Sequence, residues 1–156
     1  MPAFSRSVDV DRPVADVWHI WTDVRILPQL SPSTSEVLDA PERLTEVGQT
    51  FRQIVRAVGR CFEVDWTVTS IEDCDHLTIE SSVVMGVTPQ LTERVKSLSA
   101  NRTRLTIDVE YTLPFGPLGR LASKLGVEQL AHRETTELLE RLQHVIESSP
   151  APARER

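Results

Sequence analysis

Three polar residues near the end of the chain, Glu128, His132 and Thr135, share one arc of a helix with Leu121, Leu125 and Leu139 when projected at about 100° per residue. A helix lying flat on a dry core does not place three polar groups there, because an unpaired buried polar group costs about 1–3 kcal/mol. Three arrangements answer this. The groups pair with polar atoms beneath the helix, or they look into a wet or ligand-filled space, or a break at Gly126 turns them outward. Glycine inside a helix costs about 1 kcal/mol relative to alanine, so a break there is cheap. His132 and Glu128 have the chemistry to move a proton. Arg94 has the chemistry to steady a developing enolate, to anchor a ligand oxygen or to pair with Glu128. Arg94 and His132 are therefore the two catalytic candidates. Suitable chemistry of this kind is common, and a lone histidine on a helix face is more often structural.

Other chemistries find no residues. His19, His76, His132 and His144 are scattered without metal-ligand spacing, and Cys61 and Cys74 form neither a disulfide framework nor a metal pair. There is no Gly-x-Ser-x-Gly elbow and no glycine-rich phosphate loop. No metal and no cofactor is expected.

The elements that must position these residues follow from periodicity. Leu118, Leu121, Ala122, Leu125, Leu139, Leu142 and Ile146 recur at three- and four-residue steps, which predicts a helix from Pro117 to about Glu147. Glu134, Glu137, Glu140 and Arg141 read as its solvated back, or as contacts for a protein partner. Residues 3 to 10 read as a first strand. Asp11-Arg12-Pro13 marks a helix start, followed by Val14, Val17, Trp18 and Trp21 on one face. A second short helical piece, Val24 to Leu27, is expected to stop near Pro28.

Six further strands follow, near 35–38, 49–58, 61–71, 76–85, 89–98 and 103–113. The links between them are short, which predicts hairpins and an antiparallel meander. Leu105, Ile107, Val109, Tyr111 and Leu113 alternate with polar residues, as do Phe62, Val64, Trp66 and Val68. Leu77, Ile79, Ser81, Val83 and Met85 form a third inward row, and Phe51, Gln53 and Val55 a fourth. The ligand-facing set expected from these rows and the helix is Phe51, Gln53, Phe62, Trp66, Ser81, Met85, Arg94, Tyr111, Glu128, His132 and Thr135.

The strand from Pro89 to Leu98 obeys no such rule. With Leu98 inward, Arg94, Thr92 and Lys96 are inward too; with Leu91 and Val95 inward, Glu93 and Ser97 join them. A four-residue turn pairing Leu98 with Thr103 would set Arg94 opposite Ile107, which places Arg94 inside. A bulge would reverse this. An edge strand whose charges face water is the alternative.

The bulk numbers exclude several classes. The 156 residues fit one domain over residues 1–148 with a flexible tail at 149–156. A net charge of −6, from 17 basic and 23 acidic residues, argues against nucleic-acid binding. No apolar run reaches the roughly 18 residues of a membrane span. The N-terminus lacks the apolar core of a signal peptide, so a cytoplasmic address is expected.

The order strand, two short helices, six strands, long helix is the helix-grip arrangement, an α+β fold with a curved antiparallel sheet of about seven strands wrapped around a long C-terminal helix. The stretch Val8-Asp9-Val10-Asp11-Arg12-Pro13-Val14-Ala15-Asp16-Val17-Trp18, with Asp23 and Pro28, resembles the opening of START-like (SRPBCC) proteins. Val47-Gly48, Leu98 followed by Asn101-Arg102-Thr103-Arg104-Leu105-Thr106, and Phe115-Gly116-Pro117-Leu118-Gly119 extend the likeness over residues 3 to 147. Within the superfamily the chain looks most like the bacterial polyketide cyclase/dehydrase and lipid-transport-like group. The resemblance implies a deep hydrophobic cavity between sheet and helix. The partner it implies is a small hydrophobic ligand of lipid, polyketide, isoprenoid or quinone type, bound by a monomer or homodimer. Cyclase members of that group promote aldol condensation and dehydration, so a polyketide cyclase/dehydratase acting in the same cavity is the alternative. Their catalytic residues have no residue-by-residue match here, and whether the chain is an enzyme stays open.

Overall fold

Alternation in the sequence becomes a two-faced sheet. In the strand Arg102–Thr112, Leu105, Ile107, Val109 and Tyr111 are all at most 5% exposed, while Glu110 between them is exposed. The computed structural model describes residues 3–57, 59–83, 86–112 and 127–149. Its strands are β1 (Ala3–Val10), β2 (Thr34–Leu38), β3 (Thr50–Ala57), β4 (Arg60–Glu72), β5 (His76–Ser81), β6 (Thr88–Ser99) and β7 (Arg102–Thr112). They form one antiparallel sheet in the order β1-β7-β6-β5-β4-β3-β2, a meander closed by the first strand returning beside the last. The helices are α1 (Val14–Trp21), α2 (Leu27–Leu30) and α3 (Val127–Ser148), with a short 3-10 turn at Val24–Ile26. This is the helix-grip fold.

Short polar interactions fix the helical corner between β1 and β2. Val17, Trp18 and Trp21 put one face of α1 into the core. The Thr22 hydroxyl donates to the Trp18 carbonyl at 2.8 Å and closes α1. Asp23 Oδ1 then accepts from the Arg25 backbone N–H at 3.1 Å and starts the next turn. Pro28 does not stop the helical piece as expected. It sits in the first turn of α2, where its missing N–H costs nothing.

Two strand expectations need correction. β5 ends at Ser81, where the Ser82 backbone N–H bonds to the Asp65 carbonyl at 2.8 Å, and Val83 is 68% exposed rather than inward. In β6 the ladder slips between Ser97 and Ser99, so that Ser97 faces Thr103 and Ser99 faces Arg102, with Leu98 as the extra residue. Glu93, not Arg94, therefore lies opposite Ile107. Arg94 points outward, its side chain 61% exposed and its Nε donating to Asp108 Oδ2 at 3.0 Å. The side chain of Glu128, Met85, Leu113, the residues 113–126 that include Gly126, and the tail beyond 149 lie outside the described residues.

Candidate functional site

Between the inner face of the sheet, the α1–α2 corner and α3 lies a cavity of about 210 Å³. Phe51 of β3, Trp66 of β4, Leu77 and Ile79 of β5, Leu91 of β6 and Ile107 of β7 supply the sheet wall. Trp21, Val24, Ile26, Leu27 and Leu44 close it from the corner, and Leu138 from α3. The strands put these side chains there because alternate residues share a face, and α1 because Trp21 ends its apolar stripe.

Polar groups enter this wall in several places. Trp66 Nε1 donates to Gln53 Oε1 at 2.8 Å, and Gln53 Nε2 donates to Thr34 Oγ1 at 2.5 Å. Across the cavity Ser33 Oγ donates to Glu134 Oε2 at 3.0 Å and Ser31 Oγ approaches the same oxygen at 3.3 Å, joining the segment after α2 to α3. Another is Glu93, 5% exposed, whose Oε2 accepts from Trp21 Nε1. Burial pushes the Glu93 carboxyl up to about 8, against the opposing pull of the indole hydrogen bond. Asp23, also on the wall, is held below the usual carboxylate range by its hydrogen bonds from Arg25.

Of the residues expected to face a ligand, Phe51, Gln53, Trp66 and Thr135 are on this wall. The Thr135 hydroxyl donates to the Ala131 carbonyl at 2.8 Å, the usual way a helix accommodates an inward threonine. Ser81 and Tyr111 are buried but are not part of this wall, and Phe62 is half-buried opposite Val55. His132 turns to the sheet edge. Its ring stacks on Phe4 with centroids 3.8 Å apart, and Arg6 Nη2 donates to its Nδ1 at 2.6 Å. The two catalytic candidates, Arg94 and His132, thus lie outside the cavity.

Glu93, Glu134, Trp21, Ser31 and Ser33 are wall residues that pattern reading did not select. Glu93 was visible as one of two alternatives on β6. Glu134 looked like part of a solvated back, and its serine partners are about a hundred residues away in sequence. Away from the cavity, ligand atoms of Glu72, Asp75 and His76 lie within 4.8 Å of one another at the β4–β5 turn, where His76 already bonds Ser70 and Asp75. Among the described residues no helix is long and apolar enough to cross a membrane.

Comparison with known proteins bears on this arrangement. The profile of a family described as polyketide cyclase/dehydrase and lipid transport matches residues 1–147. No curated protein matches the sequence. Among solved structures, the Zhui aromatase/cyclase from Streptomyces sp. R1128 superposes with a TM-score of 0.79 at 17% identity, covering 94% of this chain and 93% of that one. A protein from Thermus thermophilus gives 0.76 at 18% identity, covering 95% and 100%. A START superfamily protein from Mycobacterium smegmatis gives 0.65 at 19% identity, covering 92% and 98%. At these identities the likeness is one of fold.

Proposed function

The chain belongs to the polyketide cyclase/dehydrase and lipid transport family, and from that premise we propose that it binds a small, largely apolar molecule between the sheet and α3. The observation that carries this reading is the cavity itself, about 210 Å³ bounded by hydrocarbon and two indoles with a few polar groups set into the wall. Ligand sites have this composition, since apolar walls supply affinity and sparse polar groups supply orientation. The volume exceeds the roughly 150 Å³ of an apolar cavity that takes up a benzene, which suits a compact ring system of polyketide or quinone type. Phe51, Gln53, Trp66 and Thr135 are the wall residues proposed to touch it from the sequence reading, joined by Trp21, Glu93 and Glu134.

The test is a titration of 2-ethylnaphthalene followed by tryptophan fluorescence, with native mass spectrometry of the purified protein for a retained apolar molecule. Saturable binding in the parent that is lost in a cavity-filling Leu91→Trp variant supports the reading. Equal binding by both proteins overturns it.

One observation favours a second reading, a cyclase or dehydratase in the same cavity. A carboxyl that titrates at about 8 inside an apolar wall is suited to deliver and take back a proton near neutral pH. Glu93 would then move the proton for which the sequence offered His132 or Glu128. Conversion of a linear poly-β-ketone by the parent and not by Glu93→Gln would support it. Equal conversion by both would remove Glu93 from the chemistry.

A further inference from the structure

Glu93 sits between Leu77 of β5 and Ile107 of β7 in register, with Trp21 of α1 above it. Its Oε2 is occupied by the Trp21 N–H, and its Oε1 has no hydrogen-bond partner among the described residues. No buried side-chain oxygen or nitrogen among those residues is both sealed from open space and unpartnered. Oε1 is therefore not sealed off, and the open space that Glu93 lines is this cavity. We propose that Glu93 is the polar anchor of the ligand, keeping its proton on Oε1 and donating it to an acceptor oxygen of a neutral, carbonyl-bearing molecule. The inference rests on the binding reading above and gives the ligand its chemical class.

Three features support it. The indole N–H marks Oε2 as the accepting oxygen, which leaves the proton for Oε1, the atom facing the occupant. Burial holds the proton in place up to about pH 8. The other ionisable groups on the described wall are acidic: Asp23, paired with Arg25, and Glu134, held by Ser31 and Ser33. Neither lends Glu93 a positive charge that would favour its ionised form, and both disfavour a carboxylate ligand. From the neighbouring elements Glu93 meets Leu77, Ile107 and Trp21, none of them charged. An acceptor oxygen on the ligand replaces the cavity space in front of Oε1 with a hydrogen bond. A pure hydrocarbon leaves the carboxyl half-satisfied.

The experiment compares three probes of one size, 2-acetylnaphthalene, 2-ethylnaphthalene and 2-naphthoate, and reads the affinity ratio of ketone to hydrocarbon within each protein. In the parent at about pH 6 the ketone should bind about tenfold more tightly, with naphthoate weakest. The ratio should fall toward one as pH rises through about 8, because Glu93 loses the proton it donates. Glu93→Gln should keep a ratio well above one without that pH dependence, since its amide oxygen can accept from Trp21 while its NH2 donates. Glu93→Leu should bring the ratio to about one at every pH. A ratio near one in the parent at low pH, a preference that survives Glu93→Leu, or a pH dependence that survives Glu93→Gln each overturns the assignment. If neither ketone nor hydrocarbon binds the parent, the binding reading itself fails, an outcome distinct from hydrocarbon binding without ketone preference.

Discussion

Two adjoining stretches of α3 meet the same sheet in different ways. Toward its C-terminus Leu139, Leu142 and Ile146 are at most 3% exposed within the hydrophobic core. That end is also bolted to the β1–α1 corner, with Gln143 Nε2 donating to the Asp9 carbonyl at 2.9 Å and Arg12 Nη2 to the Glu147 carbonyl at 3.1 Å. In the stretch just before these residues Glu134, Thr135 and Leu138 face the cavity, and the helix is propped there by serine–carboxylate hydrogen bonds. A straight rod over a curved sheet packs closely along only part of its length. Hydrocarbon fills the close stretch, and beside the other, polar props hold the helix without filling the space. Dense packing is thus concentrated in one stretch and the polar-lined open space beside the other.

Substitutions in the packed core, at the cavity wall and on the outer face test this division. Leu142→Ala, at a site with no exposure, should have the largest effect and cost about 2–5 kcal/mol in denaturant unfolding. The folded fraction should still bind 2-ethylnaphthalene; loss of binding at unchanged stability would break the division. Glu93→Gln should act in the opposite direction. Below about pH 4.5 the glutamate carries its proton in both states; between there and about 8 the unfolded chain releases it while the native protein keeps it. The native state then binds more protons, so the parent loses stability across that window as pH rises and levels off above it. The variant escapes this loss, so its Tm advantage should be absent near pH 4 and largest above pH 8, worth a few kcal/mol at most. Parallel Tm curves for the two proteins would remove the buried proton from the account.

Gln53→Leu should cost about 1–3 kcal/mol by thermal unfolding, because it strands the Trp66 N–H that Gln53 now receives. A neutral result would show that the indole finds another partner in the cavity. Arg94→Ala should have the smallest effect, within about 1 kcal/mol, with ligand affinity unchanged, since its pair with Asp108 is on the outer face. Any weakening of binding would bring Arg94 back to the site.

Much of the fold was legible because strand and helix periods are local. The rows Val64, Trp66, Val68 and Leu105, Ile107, Val109 point inward as their alternation requires, and so do Val17, Trp18 and Trp21. Phe51, Gln53, Trp66 and Thr135 reached the cavity wall by the same logic. His132 did not, because α3 carries it to Phe4 and Arg6 on the edge strand β1, and the rotation of a helix about its axis is set by its partners. Glu134 was hidden for a related reason. Ser31 and Ser33, which turn it inward, come from a segment that only the closed fold brings near.

By itself the sequence determined which strands exist, which residues on each share a face, and that a long apolar stripe must cover them, since backbone geometry imposes periods of two and 3.6 on any chain. Tertiary structure decided what occupies the site. One extra residue at Leu98 shifts the β6–β7 ladder, and in a period of two a single-residue shift exchanges the faces. That exchange sends Arg94 to water and Glu93 into hydrocarbon, where desolvation holds its proton in place.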